Sequence, residues 1–568
     1  DAPRMKSFRV LLTLSAFIAI IVAGFLWWNR PTSVDMAGYV PADSLVYLEF
    51  NSLPDLVKAI EQNATWKAAA QRLNVDSKLL DPFWIRIARF GVAPTKSVVL
   101  SRAQFALVLV GMNSIPDGDT LRIRPEVALV VETHTSGWRI KGIASEAVKS
   151  LATHAYGESN CTERSGDSYY VDCASSVNGR KLVATVDGSV VIIGNTDNAV
   201  RACLDVRRGS RPSMLTDAEL QHMRQQLNAD GAFSFGYVSS ANVAKIFSWA
   251  APILMGRAPG DPQLEQLLAT SAGKVLKSIA WTSRPISGAV EDRYLISLDP
   301  ELPARIEPAF ATTAASDDVW KQIPSAAETF TLYQTRNPLE ALTALNSAVS
   351  YKLDALSAVM VSSLLRSSLA VYGVENPNQV LPLLSAPLVT VRAKTTDESS
   401  VLIARVADEA RLRSVLESQK VDGGIRIVDL SKPWSNEGSA AFLAVLVDGY
   451  LVIGKAQSVD SWFSITRSAA ASSAKPASFQ PSANAVTITY ANDSARVASF
   501  VSTICEMRAR RLSEAERSDV ITAAQSPGFA ITESRLTNDG IERTKRSPFG
   551  QMSTLTSLLQ SDASMEKR

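Results

Sequence analysis

The chain has 568 residues, 58 of them Lys or Arg and 56 Asp or Glu, so its net charge is +2. That balance leaves no field to steer a polyanion and argues against a nucleic-acid binder. With 46% apolar and 20% charged residues the chain is globular rather than disordered, and its length suits roughly two to four domains.

The first element is Val10–Trp28, a run without a charge. As a helix it reaches roughly 28 Å, close to the hydrocarbon thickness of a bilayer. Arg4, Lys6 and Arg9 precede it and Arg30 follows, a bias that predicts a cytoplasmic N-terminus and an extracytoplasmic body, periplasmic or cell-surface. The run exceeds the apolar region of a cleaved signal peptide and ends in Trp27 and Trp28, aromatics suited to a membrane interface. The expectation is a single-pass signal-anchor in the cell membrane. Ser15, Ala19 and Ala23 recur every fourth residue, the stripe that lets two membrane helices approach.

Beyond the anchor the chain repeats itself. Val186-Asp187-Gly188 and Val447-Asp448-Gly449 each sit between apolar runs, as strand–turn–strand hairpins do. Val40-Pro41 before the strand Val46–Phe50 corresponds to Ile323-Pro324 before Phe330–Gln334. The strands after Pro125 and Pro387, the segments Tyr170–Asp172 and Ile427–Asp429, and Ala232–Tyr237 and Ala485–Tyr490 follow in the same order, as do Ser283-Arg284 and Ser534-Arg535. Collinear matches of this kind predict a tandem duplication. Many strands adjacent in sequence favour an α+β class, an antiparallel sheet with helices on one face in each copy. The expected organisation is a cytoplasmic tip and transmembrane helix at 1–30, a first unit at 31–298, a Pro-rich linker at 299–321, a second unit at 322–545 and a tail at 546–568.

Cys161 and Cys173 lie on either side of Ser165-Gly166-Asp167, a turn signal, so a hairpin can bring them together as a disulfide. Cys203 and Cys505 align with apolar residues of the other copy and read as small buried hydrophobes.

The search for chemistry finds no catalytic, cofactor-binding or metal-binding residues. His134, His154 and His222 show no ligand spacing, and no Cys-x-x-Cys occurs. Gly273-Lys274 lacks the rest of a phosphate loop. Ser271–Lys274 and Ser472–Lys475 fit Ser-x-x-Lys, which places Lys one helical turn from a nucleophile, but the companion elements of the penicillin-recognising enzymes are missing. Arg508, Arg510, Arg511 and Arg517, with Arg543, Lys545 and Arg546, form a basic stretch interspersed with Glu and Asp, which reads as a solvated, ion-paired face.

Tyr39-Val-Pro-Ala-Asp-Ser-Leu-Val-Tyr-Leu-Glu-Phe50 resembles the opening of a bacterial family of membrane-anchored proteins known only as a domain of unknown function. There a Pro-x-Asp element precedes the first outside strand, and the module often recurs within a chain. The second copy departs from it, with Ala326-Ala327 where Asp43-Ser44 stand. The resemblance implies location and architecture and carries no activity.

The first functional reading is a non-catalytic scaffold or accessory subunit, held to the membrane by its N-terminal helix and to other subunits of a membrane complex. A lipid or apolar-ligand module comes second, suggested by the apolar segments Ile246–Leu254 and Leu353–Leu369. An enzyme with an unrecognised site comes third.

Overall fold

The computed structural model describes residues 33–79, 95–117, 120–157, 159–166, 168–176, 180–246, 262–313, 318–324, 327–392, 400–419, 421, 423–429, 440–466, 482, 484–507, 512–525 and 530–554. They form two compact units. The first comprises Asp1–Glu61, Lys78–His222 and Phe233–Tyr237; the second comprises Gln62–Ser77, Met223–Ala232 and Val238–Arg568.

The strands of unit 1 are β1 (Val46–Phe50), β2 (Gln104–Asp117), β3 (Thr120–Glu132), β4 (Ser159–Ser165), β5 (Tyr169–Ser175), β6 (Lys181–Asp187), β7 (Val190–Gly194) and β8 (Ser234–Val238). They pair in the order β4-β5-β6-β7-β3-β2-β1-β8, every pair antiparallel. Helix α1 (Gly137–Tyr156) covers one face: its Ile140, Ala144, Val148 and Ala152 pack on Tyr169, Val171, Ala184 and Val186. Those helical positions are each four residues apart, so they form one apolar stripe. Helix α2 (Asp197–Arg207) lies on the opposite face, where Val183 alternates with Leu182 and Ala184. Gly194 lets it come close, because a Cβ there would sit 2.8 Å from Val200 Cγ2 and 3.1 Å from Val127 O.

Unit 2 holds β9 (Leu276–Ile286), β10 (Ala289–Leu298), β11 (Thr329–Tyr333), β12 (Leu384–Arg392), β13 (Val401–Val406), β14 (Ile425–Asp429), β15 (Phe442–Val447), β16 (Tyr450–Lys455), β17 (Thr487–Ala491), β18 (Ala530–Thr537) and β19 (Gly540–Ser547). Their order is β14-β15-β16-β13-β12-β11-β17-β18-β19-β10-β9. One core, with Phe330, Val391, Ile403, Val452, Trp462 and Tyr490, lies on one face; the other, with Leu388, Leu402, Leu412, Leu416, Leu451 and Ile453, lies on the reverse.

The order β6-β7-β3-β2-β1-β8 of unit 1 matches β15-β16-β13-β12-β11-β17 of unit 2 element for element. The closing hairpins of the two sequence copies, β9–β10 and β18–β19, both lie in unit 2, with β10 antiparallel to β19. The stretch expected as a linker carries the short helix Glu301–Ile306, with Leu302 and Ile306 buried.

Two findings correct the expected class. Among the described residues no helix is long and apolar enough to cross a membrane. The longest of them, α1, carries Arg139, Lys141, Glu146 and Lys149, because it is apolar only on the side that meets the sheet. The segment Val10–Trp28 lies outside the described residues, and with it Arg4, Lys6, Arg9, Ser15, Ala19, Ala23, Trp27, Trp28 and Arg30. The signal-anchor architecture, and the single-pass cell-membrane location with an extracytoplasmic body built on it, are withdrawn. The unit 2 sheet is also mixed rather than antiparallel, since β14 runs parallel to β15, and helices cover both of its faces. Strands such as Val401-Leu402-Ile403-Ala404 and Tyr450–Gly454 are buried at successive positions, which is the pattern of a sheet covered on both sides.

Candidate functional site

The hairpin β4–β5 stands at the edge of the unit 1 sheet. Cys161 lies directly opposite Cys173, and the two are joined as a disulfide. Because strand side chains alternate between faces, the hairpin presents two different surfaces.

The α1 side is tied down. Glu163 accepts hydrogen bonds from Ser145 Oγ at 2.7 Å, from Lys149 Nζ at 2.5 Å and from the Tyr169 hydroxyl. The Lys149 bond, then those from Tyr169 and Ser145, hold the Glu163 carboxyl down at about 2. Burial, and then the same carboxylate, push the Tyr169 hydroxyl up.

The other side is open. Arg164 and Ser168 of the hairpin, Tyr170 and Asp172 of β5, and Val183 of β6 face Asp197, Val200, Arg201 and Arg208 along α2 and its C-terminal end. They line a groove of about 370 Å³. Thr196 caps α2, its hydroxyl accepting from Ala199 N–H at 3.1 Å, which satisfies a donor at the start of the helix. Arg208 donates to Ser168 Oγ at 2.7 Å. Asp197 is ion-paired with Lys181. Arg164 and Arg201 make no hydrogen bond or ion pair among the described residues. Three guanidinium groups therefore share the groove with a single carboxylate, Asp172, that no lysine neutralises. Chemically the arrangement can receive an anion: Arg offers a planar fork of donors that matches carboxylate geometry.

Among the described residues unit 2 shows no equivalent. Its β14 pairs in parallel with β15, and the register that aligns Cys203 with Trp462 puts Asp460 where Arg201 stands. Its own 270 Å³ hollow is an ion-paired ladder in which Glu542 receives both Arg293, at 2.8 Å, and Arg535, at 2.7 Å, while Arg546 meets Glu291 at 3.1 Å. Burial raises the Glu542 carboxyl, but the two arginines outweigh it and the net displacement is downward.

Two buried polar clusters complete the picture. In unit 1, Tyr39 donates to Glu132 Oε2 at 2.9 Å, and Glu132 Oε1 accepts from the His134 backbone N–H at 2.9 Å. His134 Nε2 lies 3.0 Å from Gln104 Oε1, which also accepts from Val34 N–H. Since that oxygen can only accept, Nε2 carries the proton. Burial and then Glu132 push Tyr39 up to about 12; burial lowers His134. This cluster fastens the segment around Val34 and Tyr39 to the end of the sheet. In unit 2, Asp292 is fully buried on β10 and accepts from Ser283 Oγ at 2.6 Å, with Lys545 and Asp493 close by.

The other sequence candidates fall apart as sites. Ser271 is buried and Lys274 meets Asp354 at 3.7 Å, so the tetrapeptide is an ordinary turn of helix Pro262–Val275; Ser472–Lys475 lies outside the described residues. Arg508, Arg510 and Arg511 lie outside them too, while Arg546 and Lys545 are occupied by Glu291 and Asp493. No group of three or more His, Cys, Asp or Glu able to hold a metal occurs among the described residues. Cys203 and Cys505 are buried cysteines outside the disulfide, and burial pushes the Cys203 thiol up to about 12. Sequence reasoning missed the arginine groove. The spacing of Arg201 and Arg208, two helical turns apart on one face, was its one local signal.

No protein-family model, no curated protein and no solved structure matches the chain.

Proposed function

We propose that the chain is a non-catalytic interaction protein, a scaffold or accessory subunit that holds another protein through unit 1. The observation that supports this reading is the groove between β4–β5 and α2, where Arg164 and Arg201 stand exposed without a partner among the described residues. Arginine is a favoured interface residue because its fork binds directionally and its charge is weakly hydrated. The disulfide and the Glu163 contacts hold the hairpin in place before anything binds, which lowers the ordering cost of association. Gentle purification of the tagged full chain from its own cells tests the reading. A partner retained at constant stoichiometry is the expected result. A chain that runs alone as a monomer at every salt concentration overturns it.

A further inference from the structure

We infer that the partner presents an acidic, extended segment that adds as a strand to β4 and places its carboxylates in the arginine groove. This rests on the reading of the chain as an interaction protein and names the chemistry of what it holds.

The backbone of β4 is the first ground. Among the described residues β4 pairs with β5 alone, and five of its seven residues are exposed. Cys161 and Cys173 have Cα atoms 4.0 Å apart, the close spacing of a pair that does not exchange hydrogen bonds. Cys161 therefore turns its N–H and C=O away from β5, and Ser159, Glu163 and Ser165 do likewise by alternation. These groups form an open row of donors and acceptors, which is what an incoming strand uses.

The second ground is charge. A strand added about 4.8 Å beyond β4 sends every second side chain, about 7 Å apart, to the face that bears Arg164. That face opens onto the groove holding Arg201 and Arg208, with Tyr170, Val183 and Val200 also in its lining. Aspartate or glutamate at alternate positions meets unpaired guanidinium groups there; lysine at those positions meets like charge. The register, with carboxylates on one face and backbone bonds along the edge, distinguishes a strand from a loose counter-ion.

The third ground is that, among the described residues, this feature occurs in one half of the molecule. The second copy has the parallel strand β14 in place of an antiparallel hairpin, and Asp460 in place of Arg201. Among the described residues one copy carries an open edge beside three arginines, which gives the chain a docking end of this kind in unit 1.

Fluorescence anisotropy on the full chain tests the inference with four probes: a labelled peptide of alternating Glu and Thr, about ten residues long; the same peptide N-methylated at alternate amides; an alternating Lys–Thr peptide; and inorganic phosphate as competitor. The acidic peptide is expected to bind and the basic one not. N-methylation is expected to weaken binding about tenfold or more, and so is the double change Arg164→Glu with Arg201→Glu. Both arginines are exposed, and an unchanged melting temperature of the variant shows that the fold is kept. Equal binding of the N-methylated peptide overturns strand addition, and displacement by phosphate at equal concentration makes the groove a small-anion site instead. No binding of the acidic peptide, while a partner is still retained in purification, overturns this inference alone. Loss of both results overturns the interaction reading as well.

Discussion

Replacing Asp292 by Asn should make unit 2 more stable at neutral pH, and the gain should disappear in acid. Asp292 lies on β10, opposite Ser283 of β9 and Lys545 of β19, with no exposed surface. Burial raises its carboxyl from the ordinary 3.8 to about 6; the Ser283 hydroxyl, Lys545 and the Gln551 backbone N–H pull it down, and Asp493 pushes it up. The folded state therefore binds more protons than the unfolded chain between those two values. Stability from this group is complete below about pH 3.8 and is lost as pH rises through about 6. At about 1.36 kcal/mol per pH unit, the difference comes to about 3 kcal/mol above pH 6. Asn keeps the shape and an oxygen to accept from Ser283, without the charge. Urea unfolding of wild type and variant from pH 4 to pH 7.5 reads the difference directly. The expected result is a variant advantage that grows with pH across this window and then levels. Depressed carboxylates such as Asp299 and Glu542 contribute the opposite slope, but they are common to both proteins and cancel in the difference. A difference that stays flat, or that grows as pH falls, refutes the reasoning.

Two further changes probe the site region. Gly194→Ala forces a Cβ into Val200 and the Val127 carbonyl, so α2 must shift; a destabilisation of about 1–3 kcal/mol is expected, with weaker acidic-peptide binding because Arg201 and Arg208 move with the helix. An unchanged melting temperature would show that the helix is not in close contact. Removing the staple with Cys161→Ser and Cys173→Ser opens a link between residues 12 apart, and a local loss of about 2–3 kcal/mol is expected in the hairpin. Hydrogen exchange should rise in β4 and β5 and stay constant in β1 and β2; exchange that rises evenly through unit 1 would contradict a local role.

The hairpins show how far local reading reaches. An Asp-Gly between apolar runs marks a two-strand turn in both copies, yet the loop residues differ. In unit 2 the loop is Asp448-Gly449, both with positive φ, at 50° and 77°. In unit 1 it is Gly188-Ser189, and Gly188 alone of the pair has positive φ, at 61°. The first copy has one more residue before its closing Gly, and pairing moves the turn by one to keep Val186 and Val191 on the α1 face. The dipeptide announces a turn; the buried faces choose its register.

Helices on one face were the expectation, although runs such as Val190–Gly194 and Val401–Ala404, which do not alternate, carry the signal of burial on both sides. The order of elements, the turns and the collinear repeats belong to the sequence, because each depends on a few neighbouring residues and their backbone preferences. Which strand lies beside which does not. β10 meets β19 across a separation of about 250 residues, and Arg164 shares a groove with Arg208 because a hairpin and a helix end on the same side of a sheet. Asp292 is displaced upward by what surrounds it, and nothing in Glu291-Asp292-Arg293 announces a buried acid between two ion-paired neighbours. Burial, charge compensation and an open strand edge are properties of packed neighbours, so only the tertiary structure decides them.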